Sequence, residues 1–420
     1  MAFIFYFITT IAYIIAFVFA NIRNRKAITL SNIMFLSLTV NFILYLQDWS
    51  TSFRDPVYSE TYILVGILQL LFCIVAIKDN EHDKLDTIKL KKIRFNGIRV
   101  NISDILLITC ILFCAIENIY VQGSLFAKGS ALHTASMPII GPALRALYPI
   151  AYIYAFVDLT NHQSIPTLVL LIVCIVYSVI GGQGRFWCVC SLICMFIFIT
   201  FYKISIRYKK DKKQTWFSNL KLRYKVLFII ALLVAGNYLL NMGVMRISTL
   251  TFSDVTGYNG PWKKTVFGEI FAWYYGYFPF SYYNLNVTLH NILTNNLCTY
   301  GGFLFYPFLS VLKVDSLFNV DYTVMTKNAR VVQNNAATVA TGFFEGFSDF
   351  RWAFLISIII LLVFTFQFRG KKKLWGYISY SYMLTVWLFM SFLNIFTVGI
   401  PIYVLIFSWI FDKLFAVHTS

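Results

Sequence analysis

FWCVCSLICMFIFITFY (186–202) runs directly into KISIRYKKDKKQTWFSNLKLRYK (203–225), which runs into VLFIIALLVAGNYLLNMGVM (226–245). Two apolar runs, each long enough to cross a hydrocarbon core of about 30 Å, enclose a linker holding nine Lys and Arg against the single acid Asp211. The same alternation recurs along the 420-residue chain, which is 59% hydrophobic and only 13% charged, where a soluble domain carries roughly 25% charged residues. The short alternating segments of a β-barrel are absent. The reading is an all-α polytopic membrane protein, with residues 1–420 forming a single integral membrane domain.

Sidedness follows from charge. Basic loops stay cytoplasmic, which assigns 203–225, 78–100, the Arg23/Arg25/Lys26 cluster and the Arg369/Lys371/Lys372/Lys373 cluster to that side. The apolar runs are then 2–20, 30–46, 61–77, 102–120, 139–159, 165–180, 186–202, 226–245, 353–368, 374–393 and 398–411, eleven helices with the N-terminus outside and the C-terminus inside. The first run has no basic n-region and no small-residue cleavage site, so it reads as a retained helix. Cytoplasmic loops and tail hold 24 of the 35 basic residues and six of the 18 acids. The net charge of +17 therefore faces anionic headgroups and makes no case for nucleic acid. Most cysteines sit inside apolar runs and read as small buried hydrophobes.

Between the eighth and ninth helices lies a large external loop, 246–352. Within it, 265–285 is aromatic-rich and 300–314 is apolar but short, so both are expected to lie in or dip into the outer interface. If both spanned, the count would be thirteen. Tyr258, Trp262, Trp273, Tyr274, Tyr275, Tyr277, Tyr282 and Tyr283 suit a membrane belt or a sugar platform.

Four arginines oppose the inward charge bias. Arg145 lies inside an apolar run, where an ionisable group needs a partner or a polar cavity; it could pair with Glu117 or contact an anion, and the two are compatible. Arg185 ends the turn Gly181-Gly-Gln-Gly at the outer face, where glycines expose backbone N–H groups. Arg246 closes the eighth helix and Arg330 lies in the loop. Guanidinium groups fork onto phosphates. The loop carboxylates Asp254, Glu269, Asp315, Asp321, Glu345 and Asp349, with His290, form no spaced metal motif. Each acid is a counter-ion or a catalytic base. No metal and no cofactor are expected.

The order of these features resembles the Wzy-type O-antigen polymerases, or oligosaccharide repeat unit polymerases. Gly181-Gly-Gln-Gly-Arg185-Phe resembles the family's Gly/Arg turn. Gly276-Tyr-Phe-Pro-Phe-Ser-Tyr-Tyr-Asn-Leu-Asn286 resembles its aromatic-Pro-Asn-Leu stretch. Asn335-Ala-Ala-Thr338, running to Asp349-Phe350, resembles its segment ending in Asp-Phe-Gly, with Arg351 standing where the glycine is usual. The resemblance implies a GT-C-like glycosyltransferase of the bacterial inner membrane. It would polymerise undecaprenyl-pyrophosphate-linked oligosaccharide repeat units on the periplasmic face, alongside a flippase and a chain-length regulator. Arg145, Arg185, Arg246 and Arg330 would then hold pyrophosphate, with Glu345 or Asp349 as base and His290 in reserve. An O-antigen ligase and a lipid-linked oligosaccharide flippase or transporter are the alternative readings.

Overall fold

The computed structural model describes residues 1–24, 28–78, 87–95, 98–125, 140–162, 164–180, 185–209, 252–263, 265–312, 324–326, 341–369, 371 and 373–419. The eighth apolar run, Arg246, Arg330, the Gly181–Gly184 turn and the 335–338 segment lie outside them. Among the described residues the chain is mostly helical. Four helices are long and apolar enough to cross a membrane: Ala2–Ile22, Ser59–Lys78, Ile102–Val121 and Phe343–Phe366. Shorter apolar helices at Leu30–Tyr45, Ile165–Val179, Phe186–Phe201 and Gly302–Leu312 accompany them. The chain is a helical membrane protein. It divides into two compact units, one of Met1–Glu81, Ile247–Phe364 and Val386–Gly399, the other of His82–Arg246, Thr365–Thr385 and Ile400–Ser420.

In the first unit α1 (Ala2–Asn24) packs along its length on α4 (Ser59–Lys78). Between them in sequence, α2 (Leu30–Met34) widens into a π-helical segment, Phe35–Val40, and returns to α-geometry in α3 (Asn41–Tyr45). A π turn displaces a carbonyl from the regular ladder, so other donors can reach it. The Ser37 carbonyl accepts from Asn41 Nδ2 at 3.0 Å and from the Tyr282 hydroxyl at 3.0 Å. Asn41 also receives the Tyr274 hydroxyl and donates to Ser391 Oγ at 3.2 Å. Buried polar groups need such partners, since each one left unmade costs about 1–3 kcal/mol.

The region expected to be one loop with interfacial helices is folded into this unit. After α9 (Phe252–Thr256) come α10 (Val266–Tyr277) and α11 (Pro279–Thr294). Pro279 occupies the first position of α11, where its missing N–H costs nothing. Helix α11 does not lie on a surface. Phe280, Tyr282, Tyr283, Leu285, Leu289 and Ile292 are all fully buried, along with Asn284, Asn286 and Thr288. Apolar and polar faces are covered alike, which makes α11 an internal element rather than an amphipathic one. Half of the aromatic set is correspondingly core: Tyr258 and Tyr275 are also fully buried, packed with Trp49, Phe53 and Phe271, while Trp273, Tyr274 and Tyr277 are half-buried and Trp262 is exposed. By contrast α12 (Gly302–Leu312) buries Phe303 and leaves Phe305, Phe308 and Leu312 exposed, an outward apolar stripe on a short helix.

The last apolar run of this unit starts earlier than hydropathy indicates. Helix α13 (Phe343–Phe350), a 3-10 turn (Arg351–Phe354) and α14 (Leu355–Phe366) form one nearly continuous rod. The candidate membrane span therefore begins at residue 343, where hydropathy begins it at 353, and Glu345 and Asp349 are helical.

The second unit gathers α5 (Ile102–Gln122), α6 (Ile140–His162), α7 (Ile165–Ile180), α8 (Arg185–Lys209) and α16 (Ile400–Phe415) around α6, with α15 (Leu374–Phe389) shared between the units by sequence. It is not purely helical. Strand β1 (Thr87–Leu90) pairs antiparallel with β4 (Ala416–Thr419), and β2 (Lys92–Phe95) with β3 (Ile98–Asn101). The first pairing brings the basic 78–100 stretch and the C-terminal tail to one end of this unit. Lys91 Nζ reaches the Leu414 carbonyl there at 3.1 Å.

Candidate functional site

The best-defined polar constellation is built on one face of α11. Tyr283, Asn286 and His290 stand at i, i+3 and i+7, one side of a helix of 3.6 residues per turn. All three grip the segment that leads into α4. The Tyr283 hydroxyl accepts from the Arg54 N–H at 3.2 Å and donates to Asp55 Oδ2 at 2.8 Å. Asn286 Oδ1 accepts from the Tyr58 N–H at 2.9 Å and the Thr61 hydroxyl at 2.8 Å, while its Nδ2 donates to the Pro56 carbonyl at 2.9 Å. His290 Nδ1 lies 2.8 Å from Glu60 Oε1, and Ser59 Oγ donates to the other carboxylate oxygen at 2.9 Å. The imidazole stacks on the Tyr58 ring with centroids 4.0 Å apart and planes 6° apart.

An ionised carboxylate only accepts, so this geometry puts the proton of a neutral imidazole on Nδ1 and leaves Nε2 as a lone-pair acceptor. The His290 side chain is 46% exposed against 14% for Glu60. Among the described residues nothing bonds Nε2. Partial burial, then the Asp55 and Glu60 carboxylates, hold the Tyr58 phenol above its usual pKa, so a neutral ring backs the imidazole. A carboxylate thus fixes one ring nitrogen of a partly exposed histidine. Neither Glu60 nor Tyr58 was singled out from sequence. The available signal was an acid in the first turn of a membrane-length helix, with an aromatic residue just before that helix.

The other two carboxylates proposed as bases are placed differently. Asp349 is buried and spends its oxygens on α12: Oδ1 accepts from the Thr299 hydroxyl and the Phe303 N–H, and Oδ2 from the Leu304 N–H at 2.9 Å. It caps a helix start from another helix, where anions are favoured. A catalytic base needs an accessible lone pair, and Asp349 offers none. Glu345 has no exposed surface in α13.

Next to Asp349 the backbone of Arg351 takes φ 49° and ψ −129°, a conformation that glycine adopts without a Cβ clash and other residues do not. Its Nη2 donates to the Asn296 carbonyl at 2.8 Å and its Nε to the Leu297 carbonyl at 3.4 Å. Asn296 and Tyr300 also have positive φ. The 296–304 link, Asp349 and Arg351 thus form a tight knot joining α11, α12 and α13.

In the second unit Arg145 Nη2 faces Glu117 Oε1 at 3.9 Å, with side chains 18% and 6% exposed. Of the two readings open for Arg145, the ion pair is present, and it is loose. Arg145 Nε is buried with no hydrogen-bond partner among the described residues. Arg185 begins α8. Arg145 and Arg185 therefore belong to one unit, and His290, Glu345 and Asp349 to the other.

Comparisons with protein-family models, with curated proteins and with solved structures find no match. The class defined by the chain itself is that of a helical membrane protein carrying a carboxylate-oriented histidine.

Proposed function

We propose that this protein is a membrane glycosyltransferase of the Wzy-type O-antigen polymerase kind. On this reading it lies in a bacterial inner membrane with a GT-C-like architecture. It transfers a growing glycan from undecaprenyl pyrophosphate to the terminal sugar of an incoming lipid-linked repeat unit. The observation that carries the reading is the backbone at Arg351. The resembled family has glycine after Asp-Phe, and residue 351 after Asp349-Phe350 takes a conformation suited to glycine. The matched aromatic-Pro-Asn-Leu stretch is likewise the internal helix α11, whose face carries His290.

The chemistry asks for two things. Charge grows on the leaving pyrophosphate as the anomeric bond breaks, and fixed arginines stabilise it; Arg145, Arg185, Arg246 and Arg330 are assigned that task. The acceptor hydroxyl must lose a proton, and His290 is preferred to Glu345 and Asp349 because its side chain is 46% exposed while theirs are buried.

The test uses purified protein in liposomes with undecaprenyl-pyrophosphate-linked repeat units. A ladder of polymer is expected, and its formation without any translocation step excludes a flippase. Arg185→Ala should fold and insert yet give no long chains; wild-type chain length from that variant refutes the arginine assignment. In cells, loss of the gene should leave lipopolysaccharide capped by a single repeat. Complete loss of the cap would instead indicate a ligase.

A further inference from the structure

The Glu60–His290 pair does more than the fold requires. The 54–61 segment is already held to α11 by five hydrogen bonds through Tyr283 and Asn286. A partly exposed Glu–His contact adds little stability to such a clamp, since exposed ion pairs are worth about 0–1 kcal/mol. What the pair does fix is the imidazole. Its Nδ1 edge is tied to Glu60, and its face lies on Tyr58, whose own backbone is bonded to Asn286 on the same helix face as His290. Among the described residues the edge that carries Nε2 has no hydrogen-bond partner.

We propose that Glu60 is the positioning residue of this site: it holds His290 in the Nδ1-protonated form, so that Nε2 takes the proton of the acceptor sugar hydroxyl. The inference rests on the glycosyl transfer proposed above. In that step the acceptor oxygen forms a bond to the anomeric carbon of the donor. The bond from that carbon to the pyrophosphate oxygen breaks, and its electron pair leaves with the pyrophosphate. The hydroxyl proton passes to His290 Nε2, and the imidazolium faces the Glu60 carboxylate until it returns the proton to water. Tyr58 keeps the ring from turning over, which would present the protonated nitrogen to the acceptor.

The experiment measures the rate of polymer formation from lipid-linked repeat units for the purified full chain and for Glu60→Gln, Glu60→Asp and His290→Ala, each checked for thermal unfolding in detergent. His290→Ala should lose about 10²–10⁴-fold in rate. Glu60→Gln should lose about 10- to 100-fold, the size of loss that removing a carboxylate partner causes at metal-bound histidines. Glu60→Asp, which keeps the carboxylate, should restore part of that loss. A Glu60→Gln rate equal to wild type overturns the inference while leaving the polymerase reading intact. Absence of polymer from the wild-type protein overturns that reading and this step with it. As a second readout, ¹⁵N NMR of the imidazole should show Nδ1 protonated in wild type and a mixture in Glu60→Gln; a mixture already in wild type overturns the inference without reference to activity.

Discussion

Replacing Arg351 by glycine and by alanine separates backbone strain from side-chain bonding at one position. Both variants lose the guanidinium bonds to the Asn296 and Leu297 carbonyls, at 2.8 and 3.4 Å. A hydrogen bond to a charged donor is worth about 1.5–3 kcal/mol when buried. The Nη2 contact is exposed, so about 1 kcal/mol is a fair figure for the loss. Alanine keeps the Cβ and with it the cost of φ 49°, ψ −129°, about 1–3 kcal/mol for a residue held there. Glycine removes that cost but gives back about 0.4–1 kcal/mol through its greater freedom in the unfolded chain. Arg351→Gly should therefore lie close to wild type, and Arg351→Ala below Arg351→Gly by about 1.3 kcal/mol at the middle of these ranges. The assay is thermal unfolding in detergent at one scan rate, because membrane proteins commonly unfold irreversibly and their apparent midpoints depend on rate. The glycine variant should also polymerise normally, since it restores the residue usual in the resembled family. Alanine as stable as glycine would refute the reasoning, because it would mean that residue 351 does not hold a positive φ.

Three further substitutions test the placement of charged and polar groups. Asp349→Ala removes the acceptor for the Thr299 hydroxyl and for two N–H groups of α12. It should lower stability by about 2 kcal/mol, the upper range for a lost cap, while activity per folded molecule measured below its melting point stays within a few-fold of wild type; a 10²-fold loss in fully folded protein would restore Asp349 as the base. Arg145→Leu leaves the Glu117 carboxylate buried without its counter-ion, a change that costs about 3–5 kcal/mol for a fully buried pair and less here because Arg145 is 18% exposed. The double variant Arg145→Leu/Glu117→Leu should unfold at a higher temperature than the single one, and equal midpoints would show that the pair carries no coupling. Asn286→Leu strips three hydrogen bonds from the 56–61 segment and should destabilise the protein by about 1–3 kcal/mol; an unchanged melting temperature would show that α11 does not hold that segment.

The apolar runs were legible because membrane hydropathy is a local property. A helix in lipid must be apolar along about 20 consecutive residues, and Ala2–Ile22, Ser59–Lys78 and Ile102–Val121 coincide with runs read directly from composition. The start of the Phe343–Phe366 rod was not legible. Glu345 and Asp349 lower its hydropathy, yet both side chains face the protein interior, and the Asp349 oxygens are hydrogen-bonded to Thr299, Phe303 and Leu304. The π-helical segment at Phe35–Val40 left no mark on the apolar pattern for a similar reason, since Ser37 and Asn41 acquire their partners from Tyr282, Tyr274 and Ser391 far along the chain. Aromatic residues misled most. Tyr282 and Tyr283 have the composition of an interfacial belt, and the tertiary structure makes them core.

By itself the sequence determined that this is a helical membrane protein, which stretches are apolar, and that its basic charge is gathered in a few linkers. Those properties are sums over neighbouring residues. It also marked His290, Asp349 and Arg351 as positions of interest. Only the tertiary structure decided what each of them does. Asp349 became a helix cap because α12 begins against it. Arg351 stands at a glycine-like turn because α13 and α14 meet there. His290 is held through Nδ1 because α11 brings it to Glu60 across 230 residues of sequence. A hydrogen bond depends on distances of a few tenths of an ångström, and no local sum over sequence contains a distance between residues so far apart.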